Sequence, residues 1–325
     1  MILQNTSNNA IAYGKIDAYK ARAKLYAKMN KYNEAIADLT ECINISNDDS
    51  LKAKAYTQRG NFYNWTLKMS EKANADYSMA IDLYTKVISK NNAPEKIVSY
   101  YSKRANLYEI LQQYDKALAD YTKGIEMDPR NYVLYNFRGG LYKKLKCYKE
   151  AIADYSKSIE IKPGEMNYSS YGYLGGLYKE LKQYDKAIAD YSKTIELNPN
   201  NESFYYYRGG AYGNLGKFDK AIEYFNKAIE LNPNNAKLYA RCSEAYFKLG
   251  NYNKALENCS NAIQINSNNL IFNSDIYRCR GLAYYYLEKY EEAIFDFNYI
   301  IEISKSIHYD PNDYAIYYHL RGMCY

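Results

Sequence analysis

The residue types that enzymes use most often for catalysis are sparse in this chain of 325 residues. Its two histidines are His308 and His319, and their spacing fits no zinc-ligand pattern. The sequence has neither the GxxxxGKS/T loop that cradles phosphates nor a glycine-rich dinucleotide fingerprint. Carboxylates are plentiful but regularly spaced, which is typical of solvated helix faces. We therefore predict that the protein is not an enzyme and that it has no metal site and no cofactor.

The cysteines show no CxxC pair, and several occupy positions at which other parts of the chain have small or apolar residues. They are Cys42, Cys147, Cys242, Cys259, Cys279 and Cys324. Buried, reduced thiols in a cytoplasmic protein are the simplest interpretation.

The net charge of +6 is modest for this length. It allows acidic partners, but it falls short of the basicity that a dedicated nucleic-acid binder needs. No apolar run approaches the roughly 20 residues that span a bilayer, and residues 1–15 lack the basic start and apolar core of a secretory signal. We expect a cytoplasmic protein whose partner is neither a membrane nor a nucleic acid.

One string of residues returns with small changes along the chain. Residues 135–163 read YNFRGGLYKKLKCYKEAIADYSKSIEIKP, residues 171–199 read YGYLGGLYKELKQYDKAIADYSKTIELNP, and residues 205–233 read YYYRGGAYGNLGKFDKAIEYFNKAIELNP. Each copy predicts two short amphipathic helices, because its apolar residues recur at spacings of three and four. A period of about 34 residues is the signature of stacked helix hairpins. In these motifs the chain resembles the tetratricopeptide repeat family.

The resemblance implies an all-α fold, a right-handed superhelical solenoid of antiparallel helix pairs with eight full repeats and a truncated ninth. A polar lead-in is expected at residues 1–15 and the solenoid at residues 16–325. The repeats are expected near residues 16–49, 53–87, 98–131, 132–165, 168–201, 202–235, 236–269, 274–307 and 315–325. Because the chain stops inside a first helix, we expect either a fragment of a longer protein or an exposed end that meets a partner or a second copy.

Two series of small residues predict how the helices pack. The second helices share an alanine at Ala35, Ala73, Ala117, Ala151, Ala187, Ala221, Ala255 and Ala293. The first helices share a small residue at Ala23, Gly60, Ala105, Gly139, Gly175, Gly209, Ser243, Gly281 and Gly322. Both series let paired helices approach closely, while tyrosines fill the space beside them and direct their hydroxyls to water or to a polar neighbour.

Helix ends are also predictable from the sequence. Pro129, Pro163, Pro199 and Pro233 should each close a second helix, because proline cannot continue one. The second repeat has one extra residue between its helices. Longer connections at residues 86–96, 266–273 and 307–314 predict local loops or helix extensions.

Two recurrent charges predict a ladder of ion pairs. Arginine precedes the small residue of the first helix at Arg22, Arg59, Arg104, Arg138, Arg208, Arg280 and Arg321. Aspartate recurs in the second helix at Asp38, Asp76, Asp120, Asp154, Asp190 and Asp296. The seventh repeat lacks both, with Cys242 and Asn258 in their places. This joint loss indicates pairing, either within one repeat or between adjacent repeats, which would fix register more than it adds stability.

Three consecutive repeats carry a second glycine beside the small residue, at Gly140, Gly176 and Gly210. Packing does not demand these glycines, and glycine inside a helix is disfavoured against alanine by about 1 kcal/mol. Either recent duplication copied them, or they form a trough in which a ligand backbone comes close. Both interpretations stay open at this point.

In the family that the chain resembles, the first helices line a concave groove, and the second glycines point into it. The other groove positions carry mostly cations and amides. They are Lys20, Lys24, Asn61, Asn64, Ser102, Lys103, Asn106, Asn136, Lys143, Lys179, Tyr206 and Asn214. Such side chains suit an extended peptide that bears carboxylates.

Some family members grip the C-terminal carboxylate of chaperones with a clamp of Lys, Asn, Asn, Lys and Arg. The corresponding residues here are Lys20, Lys24, Gln58, Ser99 and Lys103. Only Lys20 matches outright, so chaperone-tail binding is not expected.

We therefore expect a non-enzymatic scaffold that binds a peptide or protein segment in the groove. One alternative is an RNA-binding helical-repeat protein. Another is the targeting arm of a larger enzyme whose catalytic domain is absent from this chain.

Overall fold

The computed structural model describes residues 2–90, 93–164, 167–266, 270–306 and 318–325. Within these ranges the chain is all-α, and consecutive helices pack as antiparallel pairs joined by short turns. The chain divides into two compact units, Met1–Ile161 and Lys162–Tyr325. The all-α fold of paired helices predicted from the repeats is therefore confirmed.

The first unit contains four helix pairs. They are α1 (Ile2–Lys28) with α2 (Tyr32–Ile45), α3 (Asp49–Asn61) with α4 (Ser70–Lys90), α5 (Pro94–Ile110) with α6 (Tyr114–Met127), and α7 (Tyr132–Lys144) with α8 (Tyr148–Ile161). Within this unit each second helix also packs against the first helix of the next pair, which makes the core continuous from repeat to repeat.

The second unit contains four further pairs among its described residues. They are α9 (Tyr168–Glu180) with α10 (Tyr184–Leu197), α11 (Glu202–Asn214) with α12 (Phe218–Leu231), α13 (Ala236–Lys248) with α14 (Tyr252–Ile265), and α15 (Leu270–Tyr286) with α16 (Tyr290–Ser306). A start of the ninth first helix follows at residues 318–322. Its Arg321 Nη1 donates to Asn298 Oδ1 at 2.8 Å, and Cys324 packs into the core of the last pair.

The helix bounds explain the irregular stretches of the sequence. The four second helices with a following proline each end two residues before it, as predicted. Residues 2–15, expected to be a lead-in, form the first half of α1. The extra residue of the second repeat is absorbed by a π-helical turn at Phe62–Thr66. The connection at residues 86–96 lengthens α4, whereas residues 307–314 lie outside the described part of the chain.

The shared glycines pack closely against a ring on the paired helix at Gly60, Gly139, Gly175, Gly209 and Gly281. A Cβ added at Gly209 would lie 2.8 Å from the Phe225 ring, and one at Gly175 would lie 2.8 Å from the Tyr191 ring. Real Cβ atoms do not approach a ring this closely, so the two helices could not keep their separation. The small residue is therefore required where the rings are large.

The arginine–aspartate ladder forms within repeats, which the sequence left open. Arg138 donates from Nε to Asp154 Oδ2 and from Nη2 to Asp154 Oδ1, both at 2.8 Å. The same two-pronged contact joins Arg22 to Asp38, Arg59 to Asp76, Arg104 to Asp120 and Arg280 to Asp296. These aspartates are buried, so the contact compensates carboxylates that have lost water.

Three of these arginines, and also Arg208, link neighbouring repeats through a hydroxyl group. The Nη1 of Arg138 donates to Thr122 Oγ1 of the preceding repeat at 3.0 Å. Equivalent bonds run from Arg59 to Thr40, from Arg104 to Thr85 and from Arg208 to Ser192. Arg59, Arg104 and Arg138 thus contact both the second helix of their own repeat and the preceding repeat, whereas Arg208 makes the contact with the preceding repeat but has no aspartate opposite it in its own.

Candidate functional site

The second unit presents a surface built from the first helices α9, α11 and α13, which contact one another in turn. This surface holds a cavity of about 490 Å³, which we call the basic cavity. Its lining residues are Lys179, Tyr206, Gly210, Gly213, Asn214, Phe218, Phe225, Arg241, Glu244, Ala245 and Lys248.

Two helices supply the charged rim of the basic cavity, and α12 supplies part of its apolar lining. Lys179 comes from α9, whereas Arg241 and Lys248 come from α13. The aromatic rings of Phe218 and Phe225 belong to α12. The cavity thus places cations beside aromatic surface, which can bind a carboxylate and an apolar group together.

The charges of the basic cavity do not cancel. Its lining includes three cations and one carboxylate, that of Glu244. Arg241 Nη1 donates to Glu244 Oε2 at 2.8 Å, and both side chains remain more than half exposed. Because this pair neutralises only one cation, Lys179 and Lys248 leave the cavity with an excess of positive charge.

Gly210 keeps the cavity open on the α11 side. A Cβ added there would meet only Lys179 Nζ, at 3.9 Å. Its neighbour Gly209, in contrast, packs directly on the Phe225 ring. The second glycine of this repeat is therefore not required by the packing of the helix pair, and it leaves the α11 backbone accessible from the cavity.

Of the predicted groove residues, the basic cavity brings together Lys179, Tyr206, Gly210 and Asn214. Gly176 lies on α9 in the same unit, one turn before Lys179. The others lie on first helices of the first unit and do not line this cavity. They are Lys20, Lys24, Asn61, Asn64, Ser102, Lys103, Asn106, Asn136, Gly140 and Lys143.

Ser102 and Lys103 line a different cavity, of about 600 Å³, in the first unit. Lys103 Nζ donates to Ser99 Oγ at 2.9 Å and lies 5.6 Å from the centre of the Tyr100 ring. Burial lowers the pKa of Lys103, and the charge of Lys54 lowers it further. The ammonium group thus contacts Ser99 and Tyr100 of its own helix while it lines this cavity.

Two of the predicted amides bind tyrosine hydroxyls of their own repeats. Tyr77 donates to Asn61 Oδ1 at 3.0 Å, and Tyr121 donates to Asn106 Oδ1 at 2.7 Å. The predicted polar neighbour for the tyrosine hydroxyl is therefore confirmed in these two repeats. In the fourth repeat Gly140 stands at the equivalent position, and a Cβ there would lie 3.6 Å from Tyr155 Oη.

Sequence reasoning missed Arg241, Glu244 and Lys248, which come from the seventh repeat. They stand on α13 at positions close to those that were selected on the earlier first helices. Extending the same positional series by one repeat would have found this wall of the cavity. The aromatic lining from α12 had no such signal, because those rings were assigned to the core.

The described residues contain no group of three or more His, Cys, Asp or Glu side chains that could hold a metal ion. None of the described helices combines the length and the apolar character that a membrane span requires. His308, one of the two histidines, lies outside the described residues.

Comparison with known protein families gives repeated matches. Models described as tetratricopeptide repeat match residues 98–131, 203–235 and 244–269, and another matches residues 132–165. A model described as TPR repeat matches residues 175–216. A model described as inclusion body protein matches residues 2–104, which here form helix pairs with the same Arg–Asp contacts as the other repeats.

Hsp70-Hsp90 organizing protein 1 of Arabidopsis thaliana is 25% identical to this chain over 142 residues. The match covers 35% of this chain and 24% of that protein. It therefore spans about a quarter of the length of this curated relative.

Two solved structures share the architecture. The C-terminal part of a TPR repeat-containing protein from Cytophaga hutchinsonii has a TM-score of 0.61 and 19% identity, covering 76% of this chain and 95% of that chain. A tetratricopeptide repeat protein from Parabacteroides merdae has a TM-score of 0.53 and 19% identity, covering 84% of this chain and 98% of that chain. At these identities the likeness shows the fold alone.

Proposed function

Because this chain belongs to the tetratricopeptide repeat family, whose arrays are protein-interaction scaffolds, we propose that it is a non-enzymatic scaffold that binds an extended acidic peptide segment in the basic cavity. The observation that carries this proposal is the convergence of cations from α9 and α13 beside the aromatic rings of α12. The relative in Arabidopsis thaliana, named as an organizer of two other proteins, is consistent with a scaffold role.

Each part of the basic cavity has a role in this proposal. Carboxylates of the peptide would pair with Lys179, Arg241 and Lys248 in charge-assisted hydrogen bonds. The Asn214 amide can donate to and accept from a peptide backbone, and Gly210 lets that backbone approach α11. An apolar side chain of the peptide would cover the rings of the lining.

The rigidity of the array supports peptide binding energetically. The lining residues are fixed on helices whose register is held by packing and by hydrogen bonds such as that from Arg208 to Ser192. Little ordering entropy is then lost on the protein side when a peptide binds. The six free thiols suit the reducing cytoplasm, in which we propose that the scaffold acts.

The proposal is tested by probing an array of random 12-residue peptides with the purified protein and with its Gly210→Arg variant. The parent should select peptides rich in Asp and Glu, and Gly210→Arg should lose them, because a long side chain would fill the cavity. Gly14→Arg is the matched control, since it adds the same charge to a helical glycine with nothing within 4 Å.

Both variants are first checked for unchanged helicity, so that a loss of binding cannot arise from unfolding. Equal binding by the parent and Gly210→Arg would refute the basic cavity as the peptide site. Selection of peptides without enrichment in carboxylates would refute the proposed ligand chemistry.

A further inference from the structure

A ring contact joins the second helix to the first helix of the following repeat at the α6–α7 and α10–α11 junctions. It involves the residue four places after the shared alanine and the residue two places after the first shared tyrosine. Tyr121 meets Phe137 there with ring centres 6.0 Å apart, and Tyr191 meets Tyr207 with ring centres 5.8 Å apart. At the junction of α14 and α15, these two positions hold Cys259 and Cys279.

The two thiols occupy this junction together. Cys259 is buried in one core cluster with Ala236, Ala262 and Ile276, Cys279 packs against that cluster, and the two thiols are close enough to shift each other's pKa. Cys259 and Cys279 therefore occupy the two positions that hold aromatic rings at the α6–α7 and α10–α11 junctions. Two cysteines that meet across a helix–helix contact have the proximity that a disulfide needs.

A third residue changes in step with the cysteines. In five other repeats a glycine, such as Gly175 against Tyr191, makes room for the ring of the second helix. In this repeat the same position is Ser243, whose hydroxyl oxygen lies 4.0 Å from Cys279 Sγ. The smaller thiol of Cys259 leaves space for this hydroxyl group, so the site consists of two thiols and one hydroxyl.

The two thiols differ in access to solvent. Cys259 is fully buried, whereas Cys279 and Ser243 line a surface cavity of about 350 Å³ together with Arg278. The interaction with Cys259 lowers the pKa of the Cys279 thiol against the opposing effect of burial, and the charge of Arg278 adds to this lowering. Cys279 is thus the thiol that a small oxidant can reach, and its pKa is shifted in the direction that favours the thiolate.

From this arrangement we infer that Cys259 and Cys279 are a redox modification site, in which they form a reversible disulfide that ties α14 to α15. Cys279 reacts first with a peroxide, and Cys259 resolves the product. This inference is independent of the proposed peptide-binding function, because it rests on the junction of the seventh and eighth repeats alone.

The reaction balances with hydrogen peroxide as the oxidant. The Cys279 thiolate attacks one peroxide oxygen, the O–O bond breaks, and the products are the Cys279 sulfenic acid and hydroxide, which takes up a proton to become water. The Cys259 sulfur then attacks the Cys279 sulfur and displaces the hydroxyl group, which leaves as water with the proton of the Cys259 thiol. In sum, two thiols and one peroxide give one disulfide and two waters. A small dithiol such as dithiothreitol reverses the step by thiol–disulfide exchange.

Mass spectrometry of the full chain after treatment with hydrogen peroxide tests the inference. Trypsin releases residues 255–278, which contain Cys259, and the dipeptide 279–280, which contains Cys279. We expect these two peptides to be linked by a disulfide in most molecules, and dithiothreitol to separate them. We also expect iodoacetamide to label Cys279 in the reduced protein at least ten times faster than the buried Cys242.

Two serine variants separate the roles of the thiols. Cys279→Ser should leave Cys259 unmodified by peroxide, whereas Cys259→Ser should leave Cys279 to progress to sulfinic acid, because no thiol resolves it. In the parent, the disulfide should raise the unfolding temperature by about 5 °C, a shift absent from both variants.

The inference is overturned if Cys259 and Cys279 of the folded parent stay reduced under peroxide. It is equally overturned if they oxidise to sulfinic acid without becoming linked. Either result would show that the two sulfurs do not meet in the geometry required for a disulfide.

Discussion

The guanidinium carbon of Arg208 lies 3.7 Å from the centre of the Tyr224 ring, where five other repeats place an aspartate against the arginine. Nη1 of Arg208 reaches Ser192, but its Nε is buried without a hydrogen-bond partner. The preceding repeat has the aspartate, Asp190, but lacks the arginine, because Leu174 stands at the arginine position. Among the described repeats that contain both helices, Arg208 and Asp190 therefore each lack their partner in the ladder.

Restoring a carboxylate opposite Arg208 should create an ion pair. In the Tyr224→Asp variant, Arg208 can form the two-pronged contact that joins Arg138 to Asp154 at 2.8 Å. We expect Arg208→Met to reduce the free energy of unfolding by about 2 kcal/mol more in the Tyr224→Asp background than in the parent. A double-mutant cycle by urea unfolding measures this difference. A coupling energy near zero would show that the ladder geometry does not form at this repeat.

The unpaired carboxylate of Asp190 should make stability depend on pH. Burial raises the pKa of Asp190 to about 6, and no hydrogen bond or ion pair to its side chain is found within the described structure. The folded protein then binds the proton more tightly than the unfolded chain, whose Asp pKa is about 3.9. The free energy of unfolding should therefore rise as the pH falls through 6, with the full gain present below about 4. The carboxyl group is partly exposed, so we expect a contribution of about 1–2 kcal/mol.

Urea unfolding of the parent and of Asp190→Asn between pH 4.5 and 8 isolates this contribution. Asp190→Asn should be the more stable protein at pH 8, and the difference should shrink as the pH falls. Leu174→Arg is the second comparison, because a new partner for Asp190 should lower its pKa and remove this pH dependence. A constant difference between parent and Asp190→Asn across the range would contradict the raised pKa.

Adjacent glycines on α11 should respond oppositely to the same substitution. Gly209→Ala places a methyl group 2.8 Å from the Phe225 ring and 3.1 Å from the Ala221 carbonyl oxygen, so it should destabilise the protein by about 1–3 kcal/mol. Gly210→Ala meets only the end of the Lys179 side chain and should stabilise the protein by up to about 1 kcal/mol. Thermal unfolding of the two variants measures both effects, and each variant is the control for the other. Destabilisation by Gly210→Ala would mean that packing, rather than an open cavity, requires this glycine.

Much of the fold could be predicted because the repeat supplies the same information several times. Helix bounds followed from proline and from the alanine series, and the joint loss at Cys242 and Asn258 revealed the ion pairs. The choice between pairing within and between repeats could not be made, because both registers offer opposite charges at similar spacing. Only the crossing of the paired helices brings Arg138 within 2.8 Å of Asp154 and leaves its Nη1 for Thr122.

The site was less predictable than the fold for a physical reason. Position along a first helix predicted that Lys179, Tyr206, Gly210 and Asn214 share a face, and these four residues do line one cavity. Residues of the first unit at similar positions, such as Asn61 and Asn106, bind tyrosine hydroxyls instead. Whether a polar residue binds its own repeat or faces a cavity depends on which ring the paired helix places beside it. The periodicity of the first helix alone does not predict the identity of that ring.

The measurement that tests the central claim most directly is the affinity of the strongest acidic peptide from the array, determined by fluorescence anisotropy at 50 and 300 mM NaCl. Lys179→Glu and Lys248→Glu should each weaken binding at least tenfold at low salt, whereas Lys20→Glu, in the first unit, should change it less than twofold. The parent should also lose affinity at 300 mM NaCl, because partly exposed ion pairs are screened. Equal affinity of the parent, Lys179→Glu and Lys248→Glu, with no dependence on salt, would contradict peptide binding in the basic cavity.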